Sequence, residues 1–239
     1  MKSFSMTDTG RVRNNNQDFV LCEENAVGCF PNLFIVADGM GGHKAGDYAS
    51  KLCIEGMVSM IQGSDSTTPV SVFEEAVAYA NQTVYQAAQE KTEYDGMGTT
   101  MVAATLQGNT LYVANIGDSR LYLLEEELQQ ITIDHSLVEE MVKIGNITES
   151  EARVHPQKNI ITRALGIDEE VQADYFEIKV KPSDIVMLCS DGLTNMVEDE
   201  EIEYIIRHSE SVQEAGETLI QQAKEHGGSD NITVVLVQI

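Results

Sequence analysis

The sequence predicts a layered α+β fold. Two observations carry this. Short runs rich in Val, Ile, Leu and Tyr, bounded by turn residues, read as strands at 17–23, 33–37, 99–106, 110–116, 119–124, 173–180, 184–189 and 231–238. Helical periodicity is confined to about 45–62, 70–91, 136–144, 198–207 and 211–226, so helices cluster early and late with strands between. Strands this close in sequence favour antiparallel pairing over βαβ crossovers. That argues against a doubly wound parallel sheet.

Each element has its own signal. The first strand follows the polar loop Asn14–Asn16, and the second is the apolar run Leu33–Ala37. In the helix at 70–91, Val72, Ala76, Tyr79, Ala80 and Val84 recur near a 3.6-residue period. Asp95-Gly96 reads as a plain turn, because no apolar run leads into it. Gly108-Asn109 reads as a tight hairpin turn, and the next two strands flank Gly117-Asp118. The stretch 145–165 is an excursion with one short helix, a cap at Thr148 and His155-Pro156 beyond it.

Composition narrows the function. The 239 residues suit one large domain or two small ones, and 42% are hydrophobic, enough for a sizeable core. With 15 Lys and Arg against 39 Asp and Glu, the net charge is −24. Nucleic acid and anionic membrane surfaces are therefore poor partners. No apolar run approaches the roughly 18 residues that span a bilayer. The start of the chain lacks the apolar region of a signal peptide. A cytoplasmic location is expected. The cysteines (Cys22, Cys29, Cys53, Cys189) form no C-x-x-C pair, so a zinc knuckle or redox motif is unsupported.

The strongest chemical signal is positional. Leu33–Ala37 runs into Asp38-Gly39, Tyr112–Ile116 into Gly117-Asp118, and Ile185–Ser190 into Asp191-Gly192; Asp230 precedes the run Ile232–Val237. Carboxylates that converge at strand ends repel one another, and take up protons or a cation. All-oxygen ligation favours Mg²⁺ or Mn²⁺ over zinc. Glycine after Asp38 removes side-chain bulk, so its carbonyl could approach a metal. Scattered turn residues remain the alternative from spacing alone.

The segment Asp38–Gly46 completes neither a Walker A loop nor a dinucleotide fingerprint. Its glycines allow a tight turn, and His43 then stands at a helix start, where it could protonate a leaving group. Upstream, Arg13 offers a bidentate phosphate fork and Asp18 a further carboxylate. Each also has an ordinary reading as a surface residue.

Taken together, these residues resemble the PPM family of metal-dependent protein phosphatases, the type 2C class, in its compact bacterial form. The matching positions are Arg13 with Asn16-Gln17-Asp18; Asp38–His43; Gly96–Thr100; Gly117–Arg120; Asp134-His135-Ser136; Ser190–Leu193; and Gly228–Asn231. The resemblance implies a four-layer α-β-β-α sandwich of two mainly antiparallel sheets flanked by helices. It implies one catalytic domain over 1–239 with a flap at about 139–165. Asp38, Asp191, Asp230 and the Gly39 carbonyl would ligate two core Mn²⁺ or Mg²⁺ ions, with Asp18 in or near the outer shell. Asp118, with Asp191, would hold a third ion. Arg13 would bind the substrate phosphate and His43 would be the general acid. Gln17 stands where many eukaryotic members carry Glu, which weakens the expected second-metal site.

The implied reaction is hydrolysis of phosphoserine and phosphothreonine in proteins by a metal-activated bridging water, without a phosphoenzyme intermediate. A monomer working against a cognate Ser/Thr kinase in bacterial signalling is the expected setting. Three rivals stay open: a catalytically weak phosphoprotein-binding module, a metal-binding structural domain, and a phosphatase for nucleotides or other small phosphoesters.

Overall fold

Side-chain alternation along the strands sets the architecture. The computed structural model describes residues 1–42 and 45–239. The first half of the chain forms β1 (Lys2–Asp8), β2 (Asp18–Glu23), β3 (Leu33–Met40), α1 (Ala45–Gly63), α2 (Pro69–Glu90), β4 (Gly98–Thr99), β5 (Met101–Gln107), β6 (Thr110–Ile116) and β7 (Arg120–Leu124). There follow β8 (Leu128–Gln130), α3 (Leu137–Lys143), α4 (Glu149–Arg153), β9 (Asp174–Lys179), β10 (Ile185–Cys189), α5 (Asp191–Thr194), α6 (Asp199–His208), α7 (Val212–Glu225) and β11 (Ile232–Gln238). One sheet runs β1-β11-β10-β7-β8 and the other β2-β3-β5-β6-β9, with β4 paired to β3 off that path. The pairings are antiparallel.

Three apolar clusters separate four layers. In β3, Leu33, Ile35 and Ala37 face α1 and α2, while Phe34 and Val36 face the other sheet. In β11, Ile232, Val234 and Leu236 face α6 and α7, while Val235 and Val237 point inward. Period-two alternation in doubly covered strands therefore yields the α-β-β-α sandwich. Phe34 is 1% exposed between the sheets; cutting such a side chain to Ala costs about 3–5 kcal/mol.

The helices follow their sequence cues. Thr68 caps α2 by accepting from the Ser71 amide, and Pro69 fills the first turn, where its missing N–H costs nothing. Gly56 of α1 lets α2 approach, since a Cβ there would stand 3.3 Å from the Ala80 Cα. Helix α6 lays Ile202, Ile205 and Ile206 on the five-stranded sheet beside α7.

The excursion leaves and re-enters at one place. Ser136 bridges Ile161, the Leu137 amide donates to the Ile160 carbonyl, and the Thr162 amide donates to the His135 carbonyl. Between these ties stand α3 and α4, and α4 starts in a capping box of Thr148 and Glu151.

The sequence reading missed β1 and β8. In β1 only Phe4 and Met6 are strongly apolar, so no run marks it; β11 supplies its pairing along the whole length. Asp38 also lies inside a strand rather than beyond one, because β3 continues to Met40 by pairing Gly39 with Thr99. Among the described residues, no helix is long and apolar enough to cross a membrane.

Candidate metal centre

The alternation that builds the inter-sheet core also builds the site. Along β3, Phe34 and Val36 lead to Asp38; along β2, Cys22 and Val20 lead to Asp18 on the same face. Asp18 and Asp38 stand directly opposite each other in the register. Like charges so placed are unfavourable without compensation. On the other strands the same parity delivers Thr100, Ser119, Ser190 and Thr233, so the sandwich turns from apolar to polar at one end. Asp118 sits in the crossover from β6 to β7, which joins the two sheets, and Asp191 and Asp230 flank the adjoining ends of β10 and β11.

Hydroxyls and amides fix these groups. Ser190 Oγ and Thr233 Oγ1 donate to Asp18 Oδ2 at 2.7 and 2.6 Å, tying the two sheets together. Thr100 Oγ1 accepts from the Asp38 amide at 3.0 Å and lies 2.7 Å from Ser119 Oγ, beside Asp118. Asn195 Nδ2 donates to Asp191 Oδ2 at 2.8 Å. The buried oxygens Asp18 Oδ1 and Asp191 Oδ1 have no hydrogen-bond partner.

Ionisation of the carboxyl groups is disfavoured accordingly. Burial raises Asp18 to about 7; the Thr233 and Ser190 hydroxyls oppose the shift, while Asp191 and Asp230 add to it. Asp38 is pushed well above the carboxylate range by burial, then by Asp18, Asp191, Asp118 and Asp230. Asp118 rises to about 8 through burial and the charges of Asp191 and Asp134. Asp191 rises to about 6 through burial and Asp230, tempered by Asp38 and Arg120. These groups keep some surface at the cleft, yet the surrounding protein desolvates them enough to disfavour charge.

That donor set suits a hard divalent cation: oxygen only, crowded, with two buried carboxylate oxygens lacking partners. Among the described residues, no three acidic, His or Cys side chains stand close enough together to hold a metal ion as placed.

A cavity of about 260 Å³ opens on Arg13, Asp38, Gly39, Asp118, Asp191 and Asp230. A second, about 660 Å³, shares Asp118 and Asp191 and extends between the excursion and the start of α6. It includes Lys158, whose charge favours ionised Asp191. Arg13 reaches the site but donates from Nη2 to Asp230 Oδ2 at 2.7 Å. Its side chain is 51% exposed, so this pair is worth no more than about 1 kcal/mol. Gly39 is required for a reason beyond the one expected: a Cβ there would fall 1.9 Å from the Gly46 carbonyl oxygen of α1. Gln17 lines the smaller cavity, with its side-chain amide packed against Gly46. His43 lies outside the described residues.

Several contributors had no role assigned from sequence. Asn195 sits four residues past Asp191, within reach across one helical turn, and this spacing was the only signal for it. Arg120 is half-buried and forks onto Asp134 with Nε and Nη2, holding a cation behind Asp118. His135 Nδ1 accepts from the Gly117 amide at 3.1 Å, and its own amide donates to the Gly117 carbonyl, clamping the turn that carries Asp118. Cys53 and Cys189 are buried in the two helix-facing cores, as expected of small apolar residues.

Comparison with known proteins gives the family and the fold. The sequence profile of the family described as protein phosphatase 2C matches residues 3–232. The serine/threonine phosphatase stp of Listeria monocytogenes is 40% identical over 97% of this chain and 93% of its own length. The S. agalactiae serine/threonine phosphatase superposes with a TM-score of 0.91 at 37% identity, covering 100% of this chain and 99% of that one. The catalytic domain of the serine threonine protein phosphatase PstP, solved with two manganese ions, gives 0.86 at 36% identity over 99% and 97%. The chain therefore belongs to the protein phosphatase 2C family of serine/threonine protein phosphatases.

Proposed function

We propose that this chain, working as one catalytic domain, removes phosphate from phosphoserine and phosphothreonine in proteins with the help of divalent cations. The observation that carries the reading is the crowding of Asp18, Asp38, Asp118, Asp191 and Asp230 at one end of the sandwich, with two buried carboxylate oxygens left without partners. Asp38, Asp191, Asp230 and the Gly39 carbonyl would hold two Mn²⁺ or Mg²⁺ ions, with Asp18 behind them. Asp118 and Asp191 would hold a third. Such ions supply an acidified water and neutralise charge on the phosphoryl oxygens.

The protein's own groups do the rest. Loading would displace the protons that burial and crowding favour on Asp18, Asp38 and Asp118. Arg13 exchanges Asp230 for the substrate phosphate, a small step because its present ion pair is exposed. Cations in place of those protons would make the cleft attractive to a phosphate dianion, so loading would govern substrate binding as well as turnover. His43 is the group proposed to protonate the departing serine or threonine oxygen. Residues 139–165 form the flap beside the larger cavity, where a protein substrate flanking its phosphoresidue would lie. The proposed setting is a cytoplasmic monomer that opposes a Ser/Thr kinase.

The test is turnover of p-nitrophenyl phosphate and of a phosphothreonine peptide by chelator-treated protein, before and after Mn²⁺, alongside thermal unfolding. Activity and melting temperature should rise together with Mn²⁺. Equal turnover without metal, or no thermal response, refutes the reading.

A further inference from the structure

We infer that Asn231 is a positioning residue for substrate phosphate, acting through Arg13; this rests on the proposed role of Arg13. Residues 9–17, which join β1 to β2, form no helix or strand, and Arg11–Asn15 are exposed. A loop of this kind does not hold an arginine over a cleft by itself. Asn231 is 3% exposed at the entry to β11, on the opposite sheet from β2. Its Oδ1 accepts from the Gln17 amide at 2.8 Å. Its Nδ2 donates to the Thr9 carbonyl at 3.0 Å and the Asn15 carbonyl at 2.9 Å. One side chain thus grips the loop at both ends and again two residues past Arg13.

The neighbouring backbone reinforces that grip. The Arg11 amide donates to the Gly228 carbonyl at 2.8 Å, and Gly10 packs so closely that a Cβ would lie 2.1 Å from the Asp230 carbonyl oxygen. The loop is pressed onto residues 228–231, and Arg13 emerges beside Asp230. Only a short amide side chain presents an acceptor and two donors at one planar end. Aspartate lacks the donors, and serine lacks the reach to all three partners. Asn231 lines the smaller cavity and its backbone amide donates to Asp230 Oδ1 at 2.8 Å, but its side-chain amide is spent on loop main chain. Its effect on substrate therefore passes through the loop.

The experiment is a double-mutant cycle of Asn231→Ala and Arg13→Ala in the full chain. It reads kcat and KM for p-nitrophenyl phosphate, inhibition by inorganic phosphate, and the Mn²⁺ concentration for half activation. Asn231→Ala should raise KM and the phosphate inhibition constant by about tenfold, leave kcat within about threefold, and leave Mn²⁺ activation unchanged. In the Arg13→Ala background the same change should add less than about twofold to KM, because the two act as one unit. Additive effects, or a shift in Mn²⁺ activation with KM unchanged, overturn the inference. If Arg13→Ala leaves KM and phosphate inhibition unaltered, the reading of Arg13 fails instead. Should Asn231→Ala not fold, Asn231→Ser carries the cycle; failure of both to fold assigns Asn231 to the fold alone and overturns the inference.

Discussion

Replacing Asp18 by Asn should stabilise the metal-free protein while weakening its response to metal. Asp18 is buried and raised from 3.8 to about 7. A carboxyl whose folded pKa exceeds its unfolded value binds more protons when folded between the two. Its contribution is present below about 4 and is lost as pH rises through about 7. Above that window the fold carries the cost of a buried charge. The gap of about 3 units corresponds to a ceiling of about 4 kcal/mol at 1.36 kcal/mol per unit. Neighbouring acids share that burden, so about half is expected, and a domain of this size then gains roughly 4–8 °C in melting temperature. Asn keeps an acceptor for Ser190 and Thr233. Thermal unfolding of chelator-treated protein at pH 8 and pH 5 is the assay. Asp18→Asn should melt higher than the parent at pH 8, by a smaller margin at pH 5, and show a reduced upward shift with Mn²⁺. Equal destabilisation at both pH values, or an undiminished Mn²⁺ shift, refutes the argument.

Other outcomes follow from the same site. Mn²⁺ at a hundred times its dissociation constant should stabilise the parent by about 2.7 kcal/mol, and by less at pH 5, where protons compete for the carboxylates; calorimetry checks this. Gly39→Ala should lower the melting temperature markedly or prevent folding, because its Cβ meets the Gly46 carbonyl oxygen at 1.9 Å; circular dichroism on heating reads it. Asn195→Ala should raise the Mn²⁺ concentration for half activation by about tenfold, by leaving Asp191 Oδ2 without its donor. His43→Gln should slow a phosphoserine peptide more than p-nitrophenyl phosphate, whose leaving group departs without a proton; a ratio of rates measures it.

Much of this was legible in sequence, for physical reasons. Strands buried on both faces read as apolar runs, so β3, β5, β6, β10 and β11 stood out. The edge strand β1 packs Phe4 and Met6 on the helix side but carries Ser3, Ser5 and Thr7 on its other face, which hides it. The aspartates were visible because an acid ending an apolar run is unusual. Their supports were not. Thr100, Ser190 and Thr233 look like ordinary β-formers, and their role depends on strand register, which spacing along the chain does not reveal. The grip of Asn231 on the loop of residues 9–17 joins positions more than 200 residues apart and needed the pairing of β1 with β11 to appear.

The descent of one face from valine to aspartate has a mechanical consequence. Asp18 and Asp38 belong to one sheet, whereas Asp191 and Asp230 adjoin strands of the other. The spacing between those two sets of carboxylates is therefore measured out by the dry side chains further along the same strands: Val36, Val102, Val186 and Val235. Those residues act as a caliper. A methyl group added or removed there would alter the sheet stacking that the carboxylates inherit. The dry volume between the sheets and the width of the acidic cleft are thus two ends of one stacking.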